Sequence, residues 1–106
     1  EDVGKANASF QQTKLSGRSA VDKYDGGGDE RAVQESAKRG LELFRGKACC
    51  TRCHSGFNFT DEKFHNLGIG WDTNTVDLGR YMVTNNPEDI GAFKTPTLRE
   101  IARTAP

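Results

Sequence analysis

An all-α fold of few helices joined by long loops is predicted for this chain, on three observations. Between residues 30 and 44 the apolar side chains Val33, Ala37, Leu41 and Phe44 recur at helical spacing. After residue 55 Gly, Asn and Asp interrupt nearly every segment, and no stretch alternates apolar and polar residues convincingly enough to be a strand. Between these regions, Cys50-Thr51-Arg52-Cys53-His54 compresses two thiols and an imidazole into one helical turn, where positions i, i+3 and i+4 share a face.

Taken in order, Val3 to Leu15 is rich in helix formers, with Ala6, Phe10 and Leu15 at loose helical spacing, and Ser16-Gly17 stops it. Ser19 to Tyr24 reads as a further turn of helix. Asp25-Gly26-Gly27-Gly28-Asp29 is the strongest breaker in the chain and reads as a flexible loop. It lacks the Gly-Lys-Ser/Thr and the preceding strand that a phosphate-cradling loop requires. The amphipathic helix from Glu30 to Phe44, with Gly40 on the same face, ends at Gly46 and leads directly into the cysteine motif. Phe44 is its candidate contact with that motif.

From Gly56 to Pro87 a long loop carries Phe57, Phe59, Phe64, Leu67, Ile69 and Trp71, which need something apolar to organise them. Last, Thr95 at an N-cap and Pro96 at the first helical position predict a helix running to Arg103, with Leu98, Ile101 and Ala102 on one face. Residues 1–29 are thus a linker with short helices, and residues 30–106 form one domain.

Cys-x-x-Cys-His is the spacing at which haem is attached covalently. The two sulfurs add to the vinyl groups as thioethers while His54 stands beneath the iron as proximal ligand. Two other chemistries use similar residues. Cys-x-x-Cys alone serves as a redox disulfide, and Cys50, Cys53, His54 and His65 would make a zinc-stabilised interaction module. The histidine directly after the second cysteine, and the lack of a second Cys-x-x-Cys pair, favour haem. Cys49 is then left over, and a buried apolar role is expected for it.

Composition narrows the function classes. Fifteen basic and fifteen acidic residues cancel to a net charge of +0, which gives no electrostatic footprint for nucleic acid. Only 34% of residues are hydrophobic, and the mean hydropathy is -0.73, so a macrocycle with a large apolar face would supply core that the sequence lacks. No run approaches the 18 apolar residues of a membrane span, and Glu1-Asp2-Val3 has neither the basic nor the apolar region of a signal peptide. The chain reads as mature or trimmed material. Thioether cytochromes are matured outside the bacterial cytoplasm as a class, so haem attachment implies a periplasmic location.

Several motifs in order extend the reading. Leu43-Phe44, Cys50 to Gly56, Phe59-Thr60-Asp61, Phe64-His65-Asn66-Leu67-Gly68, Asp77-Leu78-Gly79-Arg80, Val83-Thr84, Phe93 to Arg99 and Thr104-Ala105-Pro106 together resemble the second haem domain of the bacterial di-haem cytochrome c peroxidases. Related enzymes that mature a tryptophan-derived quinone share this architecture, so the family alone does not settle the substrate. The resemblance implies a c-type cytochrome fold and a high-potential haem that takes electrons from a small donor protein such as a cytochrome or cupredoxin. Those electrons pass to a second haem domain where peroxide is reduced. No catalytic residue is expected within this chain.

The resemblance also assigns roles to single residues. Cys50, Cys53 and His54 take over attachment and proximal ligation, and Pro96 joins the haem contacts. Arg80 and Arg99 are candidates to neutralise the propionates. Thr104 and Pro106 match positions whose backbone carbonyls help bind calcium between the two domains. In the family a methionine lying downstream of Thr-Ala-Pro is the sixth iron ligand, and this sequence ends at Pro106, so the domain reads as incomplete at its carboxy end. Met82, in a short extended run, and His65 are the weak candidates for that position; core or surface filler and a hydrogen-bonded pocket residue are their expected roles. Trp71 is expected to pack against haem or a partner. A stand-alone one-haem carrier or a ligand-binding haem sensor with an open sixth position is the alternative function.

Overall fold

Four α-helices, three short 3-10 turns and one two-stranded sheet make up the computed structural model, which describes residues 2–14, 16–72 and 76–104. Helix α1 spans Asp2–Gln12, close to expectation. It buries no residue and ends where the Thr13 hydroxyl donates to the Phe10 carbonyl. Leu15, the last residue of the expected helix, lies outside the described residues.

Helix α2, Ala20–Asp25, is short and strongly capped. Ser19 accepts from the Asp22 backbone N–H, and the Asp22 carboxylate accepts in return from the Ser19 N–H, a reciprocal box that satisfies two orphan donors. The Gly26–Gly28 segment then turns the chain, with Gly28 at φ 66.

Helix α3 covers Glu35–Arg45, so the helix expected from Glu30 begins five residues later. Asp29 explains the delay. Its carboxylate accepts from the Arg31 N–H and its carbonyl from the Ala32 N–H, a local turn that competes with helix. Val33 thereby leaves the helical face and becomes one of the few buried apolar side chains, at 6% exposure.

The loop-rich second half contains two strands where none was expected. Strand β1, Phe64–Asn66, pairs antiparallel with β2, Ala92–Lys94, in the register Phe64 to Lys94, His65 to Phe93 and Asn66 to Ala92. Each strand is three residues long, too short for a period-2 pattern to be legible. Helix α4, Tyr81–Thr84, replaces the extended run expected around Met82. The Asp77 carboxylate takes the Gly79 N–H, and the Arg80 carbonyl takes the Val83 and Thr84 N–H groups, so the chain coils there.

The helix expected from Thr95 to Arg103 is reduced to a 3-10 turn at Ile101–Arg103. Upstream of it, residues 95–98 form a strap without helix, and the chain turns at Arg99 and Glu100, where the Arg99 N–H donates to the Thr97 hydroxyl. The Thr95 N–H prolongs the sheet by donating to the Lys63 carbonyl, and extended backbone is what a residue before proline favours. The all-α expectation therefore becomes a mostly helical fold with long loops and one small sheet.

The core made by the chain's own side chains is thin: among the described residues Val33 and Ala92 are its buried apolar members, and Thr95 is buried as well. The chain presents 8630 Å² to solvent, against roughly 5,800 Å² for a folded monomer of its size. Large apolar groups such as Leu67, Ile69 and Trp71 remain exposed, and among the described residues no helix is long and apolar enough to cross a membrane.

Candidate haem centre

The cysteine motif sits directly after α3 and is wound as a 3-10 turn at Cys50–Arg52, tighter than the expected α-helical turn. The Cys50 carbonyl accepts from the Cys53 N–H at 3.3 Å and from the His54 N–H at 2.9 Å. Cys50, Cys53 and His54 are thus held on one turn, each half-buried, with Cys53 and His54 in the wall of one cleft and the Cys50 Sγ 3.7 Å from the Ala48 carbonyl oxygen. Phe44 packs against the motif as expected, its ring centroid 6.5 Å from that of His54 and tilted by 42°. Cys49 does not take the buried role expected for it. Its backbone leads into the 3-10 turn at φ 55, and the residue is exposed.

His54 carries the most informative hydrogen bond in the molecule. Its Nδ1 lies 2.9 Å from the Phe59 carbonyl oxygen. A carbonyl only accepts, so Nδ1 holds a proton, and in the neutral imidazole the lone pair is then on Nε2, the tautomer a metal requires. Two clefts of about 280 Å³ each share His54 in their walls. One is lined by Cys53, His65, Leu67, Ile69, Phe93 and Pro96; the other lies against Leu41, Phe44, Phe57, Phe59 and Arg99. Two thiols, a metal-ready imidazole and flanking apolar walls fit a covalently held haem.

The strap and the turn that follows it hold the loop that carries the Phe59 carbonyl, through Thr95, Thr97 and Arg99. The Thr95 carbonyl accepts from the Thr60 hydroxyl at 2.7 Å, and the Thr97 hydroxyl donates to the Asn58 carbonyl at 2.5 Å. Arg99 donates from Nε to the Phe57 carbonyl at 2.8 Å. Three successive carbonyls of the loop, at Phe57, Asn58 and Phe59, are therefore taken by Arg99, Thr97 and His54. Phe59 itself stands at φ 50, a left-handed conformation that an aromatic residue adopts only under tight local constraint.

Arg99, a candidate propionate partner from sequence, is engaged elsewhere along its whole fork. Nη1 and Nη2 donate to the two Asp22 oxygens at 2.6 and 2.8 Å, joining the strap to α2, and the side chain is only 9% exposed. Its guanidinium also lies 4.1 Å over the Phe57 ring and 5.1 Å over the Phe59 ring. The Arg99 fork, with Ser19 adding to it, holds the Asp22 carboxyl well below the usual carboxylate range. Arg80 donates from Nε to Asp89 at 3.2 Å and lies 4.2 Å over the Phe64 ring, with its side chain 39% exposed.

His65 faces the cleft beside Cys53 and is bonded through Nε2 to the Asp61 carboxylate at 2.7 Å. The Lys63 backbone N–H, followed by His65, holds the Asp61 carboxyl below its ordinary range. Among the described residues the ligand atoms of Cys53, Asp61 and His65 lie within 4.8 Å of one another, whereas the quartet of Cys50, Cys53, His54 and His65 does not gather. Met82 lies 67% exposed on α4, and Trp71 is half-exposed near Gly91. Thr104 is exposed beyond the last 3-10 turn; Pro106, its expected companion in calcium binding, lies outside the described residues.

Sequence reasoning missed Asp22, Asp61 and Thr97. Proline after Thr95 and the polar alternation Thr95, Thr97, Arg99 were the available signal for the strap. No local pattern announces Asp22, whose partner is 77 residues away.

No family model matches the chain. Individual relatives do. Cytochrome-c peroxidase IdrP1 of Pseudomonas sp. (strain SCT) is 37% identical, covering 99% of this chain and 35% of the relative. Cytochrome c peroxidase Ccp of Escherichia coli (strain K12) is 36% identical over all of this chain and 23% of its own length. The chain belongs to the bacterial cytochrome c peroxidase family. Methylamine utilization protein MauG of Methylorubrum extorquens is also similar, at 40% identity over 98% of this chain and 29% of the relative. This peroxidase-family chain thus spans about a third or less of the length of these relatives. Membership implies haem c, which agrees with the donor set at Cys50, Cys53 and His54.

Proposed function

We propose that the chain is the electron-transfer haem segment of a di-haem cytochrome c peroxidase. It holds one haem through Cys50 and Cys53, presents His54 to the iron, and relays single electrons from a small cytochrome or cupredoxin to a second haem domain. There, two electrons and two protons reduce hydrogen peroxide to two waters. The observation that supports this most strongly is the His54 Nδ1 contact with the Phe59 carbonyl, on the same turn as both thiols.

The bound haem supplies one-electron cycling between ferric and ferrous iron. The chain's own residues set the conditions for it. Leu67, Ile69 and Phe93 line the cleft on one side of His54 and offer it apolar surface that a bound haem would cover, and Phe44 packs on the imidazole from α3. Arg80 is the arginine we assign to a propionate, since its side chain is partly exposed and its Nη atoms are not those that bind Asp89, while the Arg99 fork is occupied. His65 serves as a pocket residue held by Asp61. The carbonyls of Thr104 and Pro106 contribute to a calcium ion shared with the second haem domain, and the protein works in the periplasm, where thioether haem is matured.

The test is electron delivery in the whole protein. Cys50→Ser with Cys53→Ser should leave peroxide binding at the second haem intact and abolish turnover driven by the donor. Donor-driven turnover at the unmodified rate would overturn the proposal.

A further inference from the structure

The most heavily engaged side chain outside the haem motif is Arg99. Its Nε and Nη2 both donate to the Phe57 carbonyl, its Nη1 and Nη2 grip Asp22, and its face is stacked on Phe57 and Phe59. Such a fork fixes a loop in a way a lysine point charge cannot. The loop it grips is the one whose next carbonyl but one, at Phe59, receives the His54 proton.

Phe59 also holds the left-handed backbone that aims this carbonyl, a conformation costing about 1–3 kcal/mol unless its surroundings enforce it. Two hydrogen bonds internal to the loop, Phe59 N–H to the Gly56 carbonyl at 3.1 Å and Thr60 N–H to the Ser55 carbonyl at 2.9 Å, close it but do not anchor it. The anchors come from the strap, where Thr95 is tied to the sheet and Arg99 to α2. Asp22 is held in turn by the α2 capping box, so the constraint runs from Ser19 through Asp22 and Arg99 to Phe57–Phe59 and ends on His54.

We infer that Arg99, anchored by Asp22, is a positioning residue for the proximal ligand: it fixes the His54 Nδ1–H···O=C bond and thereby sets the reduction potential of the iron. This rests on the haem reading above. A proximal imidazole that donates firmly through Nδ1 is more basic at Nε2, and a more basic ligand favours ferric iron and lowers the potential. Loosening the loop weakens the bond and raises it.

Arg99→Lys and Asp22→Glu test this in the whole haem-loaded protein. Each keeps the formal charge, so a change of field near the iron does not confound the reading. The expected result is a positive shift in the midpoint potential of this haem, together with faster solvent exchange of the His54 Nδ1 proton, in whichever of the two variants folds. A variant that loses thermal stability but keeps both the potential and the exchange rate would show Arg99 to be merely structural and overturn the inference, as would a negative shift. If the unmodified protein carries no covalent haem on this segment, the haem reading itself fails, an outcome distinguishable before either variant is made.

Discussion

Asp61 holds the Nε2 of His65 at 2.7 Å, in the wall of the cleft that Cys53 and His54 also line. The pair gives His65 a structural reason to sit in the haem pocket without binding iron. His65→Ala is therefore expected to leave haem attachment and the visible spectrum unchanged. Loss of low-spin bands in that variant would instead make His65 an axial ligand.

The same carboxylate and Asp22 set an acid limit on folding. Both are held below the ordinary range, Asp22 chiefly by Arg99 and Asp61 chiefly by the Lys63 N–H. A depressed folded-state pKa contributes stability above the unfolded value, near 4, and loses it as protons bind on the way down. Thermal midpoints should hold between about pH 7 and 5 and fall progressively below that range. Asp22→Asn should lower the midpoint at pH 7 and flatten the acid slope; an unchanged slope would remove Asp22 from this account.

Gly79 tests the packing of the second half. It stands at φ 57, and a Cβ there would lie 2.5 Å from the Ala92 carbonyl oxygen, which already accepts the Arg80 N–H at 2.9 Å. Because the obstacle is backbone, it has no flexible end to swing aside. Gly79→Ala should cost about 2 kcal/mol or more in denaturant unfolding. A loss under about 0.5 kcal/mol, the range of neutral surface substitutions, would contradict the bridge between Gly79 and Ala92.

Met82 lies on the exposed face of α4. Met82→Leu keeps the volume and removes the thioether, so the visible spectrum and midpoint potential should be unchanged. A loss of low-spin bands would assign it to the iron.

Helices with their own caps or apolar stripes were legible in the sequence. The Ser19 box of α2 and the Leu41–Phe44 stripe of α3 both lie where local chemistry places them. What escaped depends on distant partners. The β1–β2 pair joins segments 28 residues apart, from Phe93 back to His65, and each strand is too brief to show a period. Thr95-Pro96 satisfies the rule for a helix start and the rule for extended backbone equally well, because an N-cap residue is itself extended. The Lys63 carbonyl and the loop at Phe57–Phe59 decide the matter, and neither is local to Thr95. At the site, the spacing of Cys50, Cys53 and His54 was legible, but the Phe59 carbonyl that sets the His54 tautomer was not, since a backbone acceptor leaves no mark in side-chain sequence.

The central claim is that Cys50 and Cys53 carry one haem covalently with His54 as its ligand. Intact mass after denaturation and acid extraction tests it most directly. The expected result is the polypeptide mass plus one haem, a Soret band that stays with the polypeptide, and one titratable thiol, that of Cys49. A mass equal to the polypeptide alone, with three titratable thiols and any haem released into the extract, would contradict it.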